Sequence, residues 1–268
     1  MLIRSLHRLA VVAVATVATA LAGAAVAPAA QALPTVDRVV DDVLTATGEP
    51  GPHRLEGQYF TSPGVPAAAV DARPSILVGP STPLIVGPSV CTTTAAGYDD
   101  AGNAVAVTAG HCGTAGDEVR SADDPEGTVI GTFQRSGAVD NGVILLNDRA
   151  QVTSSYNTVL GSAGGPLPAA GAQVCKTGIA TGTSCGPAVA TSESGFGVHL
   201  CASHGDSGAP VYAGGRLVGL LSGGFAGLPS CRTPLQGPVH SPVLAVTWDA
   251  VAAEMNAAGG VGAGFRLA

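Results

Sequence analysis

The sequence predicts an all-β protein of antiparallel strands, arranged as a barrel or a sandwich. Beyond about residue 84, short β-prone runs alternate with turn signals. The 38 glycines and 19 prolines imply many turns and short elements, and long helical periodicity is absent from most of the chain. Strands that alternate with long helices, the pattern of α/β folds, do not occur. The predicted strands cover 84–86, 104–108, 128–133, 142–146, 188–191, 209–212, 216–222 and 239–246.

The composition limits both the core and the partners. Apolar residues make up 46% of the chain and aromatic residues only 4%, so aliphatic side chains must fill the core. The formal net charge is -7. Because nucleic-acid binding needs a basic surface, a nucleic-acid partner is not expected.

The N-terminus has the features of a secretory signal over residues 1–32. Arg4 and Arg8 precede an apolar run, and Ala30-Gln31-Ala32 offers a small-x-small cleavage site. A membrane anchor is the alternative, because the run is near the lower length limit for a span. We expect export with cleavage, an extracellular product, and no stable membrane insertion afterwards.

Residues 33–83 separate this signal from the predicted strands. Apolar positions at helical spacing predict a short helix over 33–47. The following stretch is rich in proline, glycine and alanine and has weak periodicity. It is typical of a linker, a pro-segment or an extended N-terminal arm, and the sequence leaves these three open.

A helix is predicted near the C-terminus, over about 248–257. Thr247 can cap its N-terminus. We expect the helix to pack against the sheet through one apolar face. The apolar positions at helical spacing are Trp248, Val251, Ala252 and Met255.

All six cysteines lie beyond the signal, and an even number in an exported chain predicts three disulfides. Spacing alone leaves their pairing open. A metal site formed by His199, Cys201, His204 and Asp206 is an alternative for one cluster. Its spacing is not that of a structural zinc site, and we expect neither a metal nor another cofactor. The cysteines are Cys91, Cys112, Cys175, Cys185, Cys201 and Cys231.

Three short segments carry residues suited to nucleophilic catalysis. They are TAGHC, ending at Cys112, VDNGVIL, which contains Asp140, and GDSGAP, which contains Ser207. A serine hydroxyl needs a neighbouring base, and a histidine base needs a carboxylate to fix its tautomer. Taken singly, each segment has a simpler interpretation, as a common turn around Ser207, a hairpin turn at Asp140, or a core histidine at position 111.

Together and in this order, the three segments resemble the chymotrypsin-like (trypsin-like) serine protease family, and most closely its bacterial secreted branch, such as streptogrisins and α-lytic protease. The resemblance covers about residues 84–245. It implies two packed antiparallel Greek-key β-barrels followed by the C-terminal helix. It also implies that His111 is the general base, Asp140 the triad carboxylate and Ser207 the nucleophile. The N–H groups of Gly205 and Ser207 would then form the oxyanion hole.

The same resemblance implies a domain division and a disulfide pattern. The protease domain would cover 84–268, with one barrel over about 84–160, the other over about 165–246 and the helix over about 248–257. A faint similarity of 84–87 to the new N-terminus of activated animal proteases is set aside, and the segment is interpreted as a first strand. The implied disulfides are Cys91–Cys112, Cys175–Cys185 and Cys201–Cys231.

Residues near the specificity pocket are also implied by resemblance. Ser222-Gly223-Gly224 resembles the pocket wall against which substrate backbone pairs, and Ser222 is expected near Asp140. The pocket floor around 201–203 carries no acidic residue, which argues against trypsin-like specificity and favours a small or medium apolar side chain. His240 is interpreted as a barrel-wall residue, although some bacterial relatives that cut after glutamate have a histidine there.

Two further positions concern the loop that carries Ser207. Lys176, the only lysine in the chain, follows Cys175, where bacterial relatives place a basic residue that can pair with the aspartate before the serine. The resemblance therefore implies a pair between Lys176 and Asp206, and an exposed loop lysine is the alternative. Ala209 stands where the family usually has glycine, which places the local backbone geometry in doubt.

These observations predict a secreted serine endopeptidase that acts through an acyl-enzyme and, as a monomer, takes protein or peptide substrates. The alternatives are a catalytically silent protease-like binding module and an exported serine esterase. An α/β-hydrolase esterase would need a Gly-x-Ser-x-Gly elbow with its histidine last in the chain. Here His111 comes first, and Ala209 replaces the second glycine.

Overall fold

A computed structural model describes residues 76–224, 231 and 239–268. The predicted signal, the predicted helix over 33–47 and the rest of the arm up to residue 75 lie outside these ranges. Nearly every described element is a strand, which confirms the all-β class. The strands are β1 (Ile76–Val78), β2 (Pro83–Val86), β3 (Ser89–Thr92), β4 (Ala95–Tyr98), β5 (Ala104–Ala109), β6 (Glu118–Ser121), β7 (Val129–Ser136), β8 (Asn141–Leu146), β9 (Ala150–Val152), β10 (Ser162–Ala163), β11 (Gln173–Gly178), β12 (Gly182–Thr191), β13 (Gly195–Val198), β14 (Pro210–Ala213), β15 (Arg216–Gly224), β16 (Val243–Thr247) and β17 (Arg266–Leu267).

The N-terminal half forms one eight-stranded antiparallel sheet in the order β17-β4-β5-β8-β7-β6-β2-β3, which curls into a half-barrel. Its interior contains Phe133, Ile130 and Ile144, all fully buried. β5 is buried on both faces, because successive side chains of a strand point in opposite directions. Ala106 faces this interior, whereas Val107 faces a second core shared with the C-terminal helix.

The C-terminal half forms a closed barrel of six strands. The hydrogen-bonded order is β15-β14-β11-β12-β13-β16, and β16 pairs back with β15 to close it. β10 adds a short parallel pairing to β15 outside this ring. Aliphatic residues and a single ring, Phe196, fill the interior, as the low aromatic content predicts.

The helix α1 (Trp248–Ala258) matches the predicted one within a residue. The Thr247 hydroxyl accepts a hydrogen bond from the Ala250 amide at 3.2 Å, which is the predicted cap. Trp248, Val251 and Met255 are buried in the core cluster that also contains residues of both sheets. No helix in the described ranges has the length and hydropathy needed to cross a bilayer.

Two terminal segments differ from the sequence-based boundaries. Ile76–Val78, predicted to lie in the arm, pairs in parallel with β9. The tail after α1, predicted to lie outside the barrels, returns to the first sheet, where Arg266 and Leu267 pair with β4. Strands of two or three residues are too short to show a period of two, so no sequence pattern predicts them. The predicted strand over 239–246 is instead β16, which begins at Val243.

The predicted strand over 84–86 lies inside the first sheet. It is part of β2, which pairs with β3 on one side and β6 on the other. Leu84 and Val86 are fully buried, so this segment is a structural strand rather than a chain terminus.

Three disulfides connect the same cysteine pairs that the family resemblance implies. Cys91–Cys112 joins β3 to the turn after β5, and Cys175–Cys185 joins directly opposed positions of β11 and β12. The third disulfide bonds Cys201 to Cys231, which lies between the two ranges that are not described, 225–230 and 232–238.

A buried ion pair lies within the second barrel. Lys176 and Asp206 have no exposed side-chain surface, and the Lys176 Nζ lies 2.8 Å from the Asp206 carboxylate. Lys176 also donates to the Thr181 hydroxyl and, at 3.0 Å, to the Gly182 carbonyl oxygen. The carboxylate accepts further hydrogen bonds from the Ala180 and Thr181 amides and from the Ser203 amide. Burial lowers the pKa of Lys176, and the charge of Asp206 opposes that change.

Replacing Lys176 should be strongly destabilising. Lys176→Met would leave the Asp206 carboxylate buried without its cation, at a cost of about 3–5 kcal/mol in the free energy of unfolding. Adding Asp206→Asn should restore part of that loss, because the unpaired charge is then absent. Urea denaturation measures both effects.

A matched control is Arg266→Met, which breaks the exposed pair between Arg266 and Asp100. Exposed pairs contribute little, so this variant should change the free energy of unfolding by less than about 1 kcal/mol. Equal losses for Lys176→Met and Arg266→Met would contradict the stabilising role of the buried pair.

Candidate active site

The first sheet places His111 and Asp140 side by side. β5 ends at Ala109, and a turn of 3₁₀ helix over Gly110–Cys112 follows. Ala109 pairs with Asn141 at the start of β8, and the Gly110 amide donates to the Asp140 carbonyl oxygen at 2.9 Å. The backbone pairing of two neighbouring strands therefore brings the two side chains together.

The three predicted catalytic residues form one hydrogen-bonded chain. Asp140 Oδ1 and Oδ2 each lie 3.0 Å from His111 Nδ1. On the other side of the ring, His111 Nε2 lies 2.9 Å from Ser207 Oγ. The Asp140 carboxylate also accepts the His111 backbone amide at 2.9 Å, which fixes the histidine relative to the carboxylate. His111 has about half of its side chain exposed, so a substrate can reach it.

Asp140 stands at the end of a tight turn between β7 and β8. Its amide donates to the Gly137 carbonyl oxygen at 3.1 Å, and its φ of 60° lies in the left-handed region that aspartate tolerates better than most residues. The hairpin turn thus lies before Asn141, because Asn141 and Gly142 already pair within β8, and it presents the Asp140 carboxylate. Asn141, buried beside it, donates to Glu254 of α1 at 2.8 Å.

The pKa values of the pair shift in opposite directions. The hydrogen bond to Asp140 raises the pKa of His111 above its ordinary 6.5, against a smaller lowering by burial. Burial alone would raise the pKa of Asp140. Hydrogen bonds from His111 and Ser222 outweigh that effect and lower it. The arrangement therefore favours an ionised Asp140 and makes His111 a stronger base.

The backbone around Ser207 is almost fully hydrogen-bonded. The Asp206 amide donates to Ser203, the Gly208 amide to Leu221 at 2.7 Å, and the Ala209 amide to Asp206. The carbonyl oxygens of Gly205, Ser207 and Gly208 all accept hydrogen bonds from Thr92, the last residue of β3, or from Thr94 just after it. Within the described ranges, the Gly205 and Ser207 amides have no acceptor. These are the two predicted oxyanion donors.

Glycine is needed at two positions of this loop. Gly205 has a φ of 99°, which L side chains rarely adopt. A Cβ on Gly208 would lie 2.4 Å from the Thr92 carbonyl oxygen, so only glycine allows the loop this close to the first sheet. Ala209 needs no such freedom. Its φ is not positive, and its methyl group is buried in the second core, which removes the doubt about this position.

The predicted pocket wall lies next to the hydrogen-bonded chain of Asp140, His111 and Ser207. Ser222 Oγ donates to the Asp140 carboxylate at 2.5 Å, as expected. Gly223 and Gly224 follow at the end of β15, where Gly224 pairs with Val243 of β16. Beyond them, residues 225–230 and 232–238 lie outside the described residues.

His240 does not stand alone on the barrel wall. Its ring stacks on that of His199, with 4.5 Å between centroids and 12° between planes, and its Nδ1 lies 2.9 Å from the Ser241 carbonyl oxygen. Sequence inspection grouped His199 only with possible metal ligands. Of that group, Cys201 is bonded to Cys231 and Asp206 is paired with Lys176, so neither is a free ligand.

Two functional candidates were missed from the sequence, Thr92 and Thr94. Their hydroxyls donate to the carbonyl oxygens of Gly205 and Gly208. The only signal was a run of three threonines directly after Cys91, which by composition is also typical of an ordinary strand end.

Comparison with known proteins gives one family relationship and several structural neighbours. No protein-family model matches the chain. An uncharacterized protein of Mycobacterium tuberculosis strain H37Rv is 30% identical, over 62% of this chain and 82% of that protein. The corresponding protein of strain CDC 1551 matches with the same values.

The structural neighbours are serine proteases. Nocardiopsis protease (NAPase) has a TM-score of 0.52 at 22% identity, over 65% of this chain and 97% of that one. Thermobifida fusca protease A has a TM-score of 0.50 at 21% identity, over 64% of this chain and 91% of that one. A third neighbour is a glutamic-acid-specific serine protease that is described as using a histidine triad in substrate binding. It has a TM-score of 0.52 at 20% identity, over 66% of this chain and 96% of that one.

These identities are too low to carry a function across, but the structural match extends over nearly the whole of each neighbour. The chain therefore has the chymotrypsin-like fold, and it belongs to the family of the uncharacterized Mycobacterium tuberculosis protein.

Proposed function

We propose that the protein is a secreted serine endopeptidase that hydrolyses peptide bonds through an acyl-enzyme. The observation that carries the proposal is the unbroken hydrogen-bonded chain from Asp140 through His111 to Ser207. Beside it, the Gly205 and Ser207 amides have no acceptor in the part of the chain that the structure describes. The protease fold of the structural neighbours supports it.

In the proposed reaction, Ser207 Oγ attacks the scissile carbonyl carbon while its proton passes to His111 Nε2, 2.9 Å away. Asp140 stabilises the imidazolium that forms and keeps the ring in the required tautomer. The Gly205 and Ser207 amides donate to the oxyanion of the tetrahedral intermediate. His111 then gives the proton to the leaving amine, and the acyl-enzyme is hydrolysed by water activated in the same way.

The location and maturation of the protein are part of the proposal. Three disulfides support an oxidising, extracellular environment. We propose cleavage after residue 32 and a pro-segment or arm over 33–75, followed by a protease unit that acts as a monomer. The unit would begin near residue 76 rather than 84, because β1 is already paired with β9.

For the residue before the cleaved bond (P1), we propose a small or medium apolar side chain. This follows from the absence of acidic residues at 201–203 and in the Ser222–Gly224 wall. The stacked His199 and His240 support a second candidate, an acidic P1 residue, because imidazole N–H groups can bind a carboxylate. The histidine-using, glutamate-specific neighbour supports the same candidate.

A fluorophosphonate should label Ser207 and abolish hydrolysis of a mixed peptide library. Ser207→Ala should lose labelling and about 10⁶-fold in kcat, because the nucleophile is absent. Ser194→Ala, which removes an exposed serine, is the control and should keep both. An unlabelled wild-type protein that only binds peptides would be a silent binding module, and cleavage of esters alone would make it an esterase.

The pH dependence of kcat/KM should report His111. The base must be neutral, so activity should be lost as the pH falls through its pKa, which Asp140 raises above 6.5. Asp140→Asn should move the half-maximum to lower pH and reduce kcat by about 10⁴-fold through loss of the tautomer. Asp148→Asn removes an exposed carboxylate and should change neither the pH of half-maximal activity nor kcat. An unmoved half-maximum in Asp140→Asn would contradict this coupling.

A peptide library varied at P1 distinguishes the two specificity candidates. Under the first, small and medium apolar residues dominate, and His240→Phe leaves that preference in place. Under the second, glutamate or aspartate dominates, and His240→Phe removes the acidic preference while turnover of apolar peptides continues. A preference for arginine or lysine would contradict both candidates.

A further inference from the structure

Three consecutive threonines, Thr92, Thr93 and Thr94, follow Cys91 and are all fully buried. Two of them contact the loop that carries Ser207. Thr92 Oγ1 donates to the Gly205 carbonyl oxygen at 2.8 Å, and Thr94 Oγ1 donates to the Gly208 carbonyl oxygen at 2.6 Å. These hydroxyls extend from the first sheet to the backbone on both sides of the nucleophile.

The backbone of the same segment adds a third contact. The Thr92 amide donates to the Ser207 carbonyl oxygen at 2.8 Å. Any residue at position 92 would supply this bond, because it uses the main chain. The contacts to Gly205 and Gly208 depend on the threonine side chains.

The threonine segment is itself fixed to the strand that leads to His111. The Thr92 carbonyl oxygen accepts from Thr108 Oγ1 at 2.8 Å, and the Thr94 amide donates to the Val107 carbonyl oxygen at 2.7 Å. Both partners belong to β5. The threonine hydroxyls therefore connect the Ser207 loop directly to the structure that presents the histidine.

The Ser207 loop needs such external bonds because of its glycines. Gly205 and Gly208 both have positive φ and no side chain of their own to pack. Peptide planes next to glycine rotate easily. A hydrogen bond to the Gly205 carbonyl oxygen opposes rotation of the peptide plane between Gly205 and Asp206. This plane lies between the Gly205 and Ser207 amides, neither of which has an acceptor among the described residues.

We propose that Thr92 and Thr94 are positioning residues that hold the Ser207 loop against the first sheet and so fix the direction of the Gly205 and Ser207 amides. Their effect on catalysis rests on the proposed protease function. Their effect on the loop does not, because it depends only on hydrogen bonds within the protein. The Thr92 hydroxyl also accepts the Ile179 amide at 3.1 Å, so Thr92→Val removes that contact as well.

The chain contains its own matched control. Thr93 lies between the two positioning residues and is equally buried, yet its Oγ1 has no hydrogen-bond partner among the described residues. Its backbone amide donates to the carbonyl oxygen of Thr82, directly before β2, and not to the Ser207 loop. Thr93→Val therefore removes a buried threonine hydroxyl without touching the loop.

The test compares Thr92→Val, Thr94→Val and Thr93→Val, together with Thr92→Ser and Thr94→Ser, which keep the hydroxyl. Hydrogen exchange of the backbone amides over 203–210 reports the loop, and the rate of fluorophosphonate labelling reports Ser207 reactivity. Michaelis kinetics at a temperature well below every variant's Tm separates kcat from KM.

Thr92→Val should accelerate exchange in the loop and slow labelling by about 10²-fold, the effect of a small misplacement of reacting groups. We expect the loss in kcat rather than KM, because the oxyanion contact strengthens in the transition state. Thr94→Val should act in the same direction, and Thr93→Val and both serine variants should match the wild type. If Thr92→Val does not fold, the Thr94 variants are judged by the same criteria.

The outcomes separate this proposal from the proposed function. Wild-type exchange and labelling rates in both valine variants would overturn the positioning role and leave the protease function intact. Loop exchange that follows the predicted pattern in a protein without labelling or turnover would support the positioning role while the protease function fails. Equal losses in Thr93→Val and Thr92→Val would also overturn the proposal, because general destabilisation would then explain both.

Discussion

The site depends on one constraint, the fixed placement of two separate sheets against each other. His111 and Asp140 belong to the first sheet, and Ser207 belongs to the loop before β14 of the second. A distance of 2.9 Å from His111 Nε2 to Ser207 Oγ therefore measures the contact between the sheets as well as that between the side chains. Several features of the structure hold this contact from different sides. They include the glycine at position 208, the shared apolar core and the helix α1 that packs into it.

The two aspartates near Ser207 illustrate how similar groups take different roles. Asp206 is fully buried, and its partners are the Lys176 ammonium, a hydroxyl and three backbone amides. Such a carboxylate has its hydrogen-bonding capacity filled within the second barrel. Asp140 is partly exposed, and its side-chain partners are the titratable His111 and Ser222. The hydrogen bond and the charge of Asp140 therefore raise the pKa of His111, whereas the Asp206 carboxylate holds the backbone of the Ser207 loop through hydrogen bonds.

The fold class and the proximity of His111, Asp140 and Ser207 could be predicted from the sequence, for identifiable reasons. The residues around His111, Asp140 and Ser207 form contiguous motifs, because each side chain is presented by its own short turn. The pairing of Lys176 with Asp206 was predictable from the resemblance, because bacterial relatives place a basic residue directly after the corresponding cysteine. Contacts between distant segments had no such local signal. The stacking of His199 on His240 and the return of the C-terminal tail to β4 arise only when the sheets have formed. The threonine contacts are of the same kind, since Thr92 is 113 residues from Gly205.

The hydrogen bonds around Ser207 can be understood from the two amides that make none among the described residues, those of Gly205 and Ser207. An oxyanion site needs N–H groups that are not already bonded, yet a loop with unbonded backbone groups tends to rearrange until they are satisfied. Around Ser207 the conflict is resolved by bonding the neighbouring amides and carbonyl oxygens to other parts of the protein. The Gly205 and Ser207 amides have no acceptor among the described residues, and the hydrogen bonds of their neighbours oppose a rearrangement that would give them one. Preorganisation of the donors is thus a property of the groups around them, which come from both sheets.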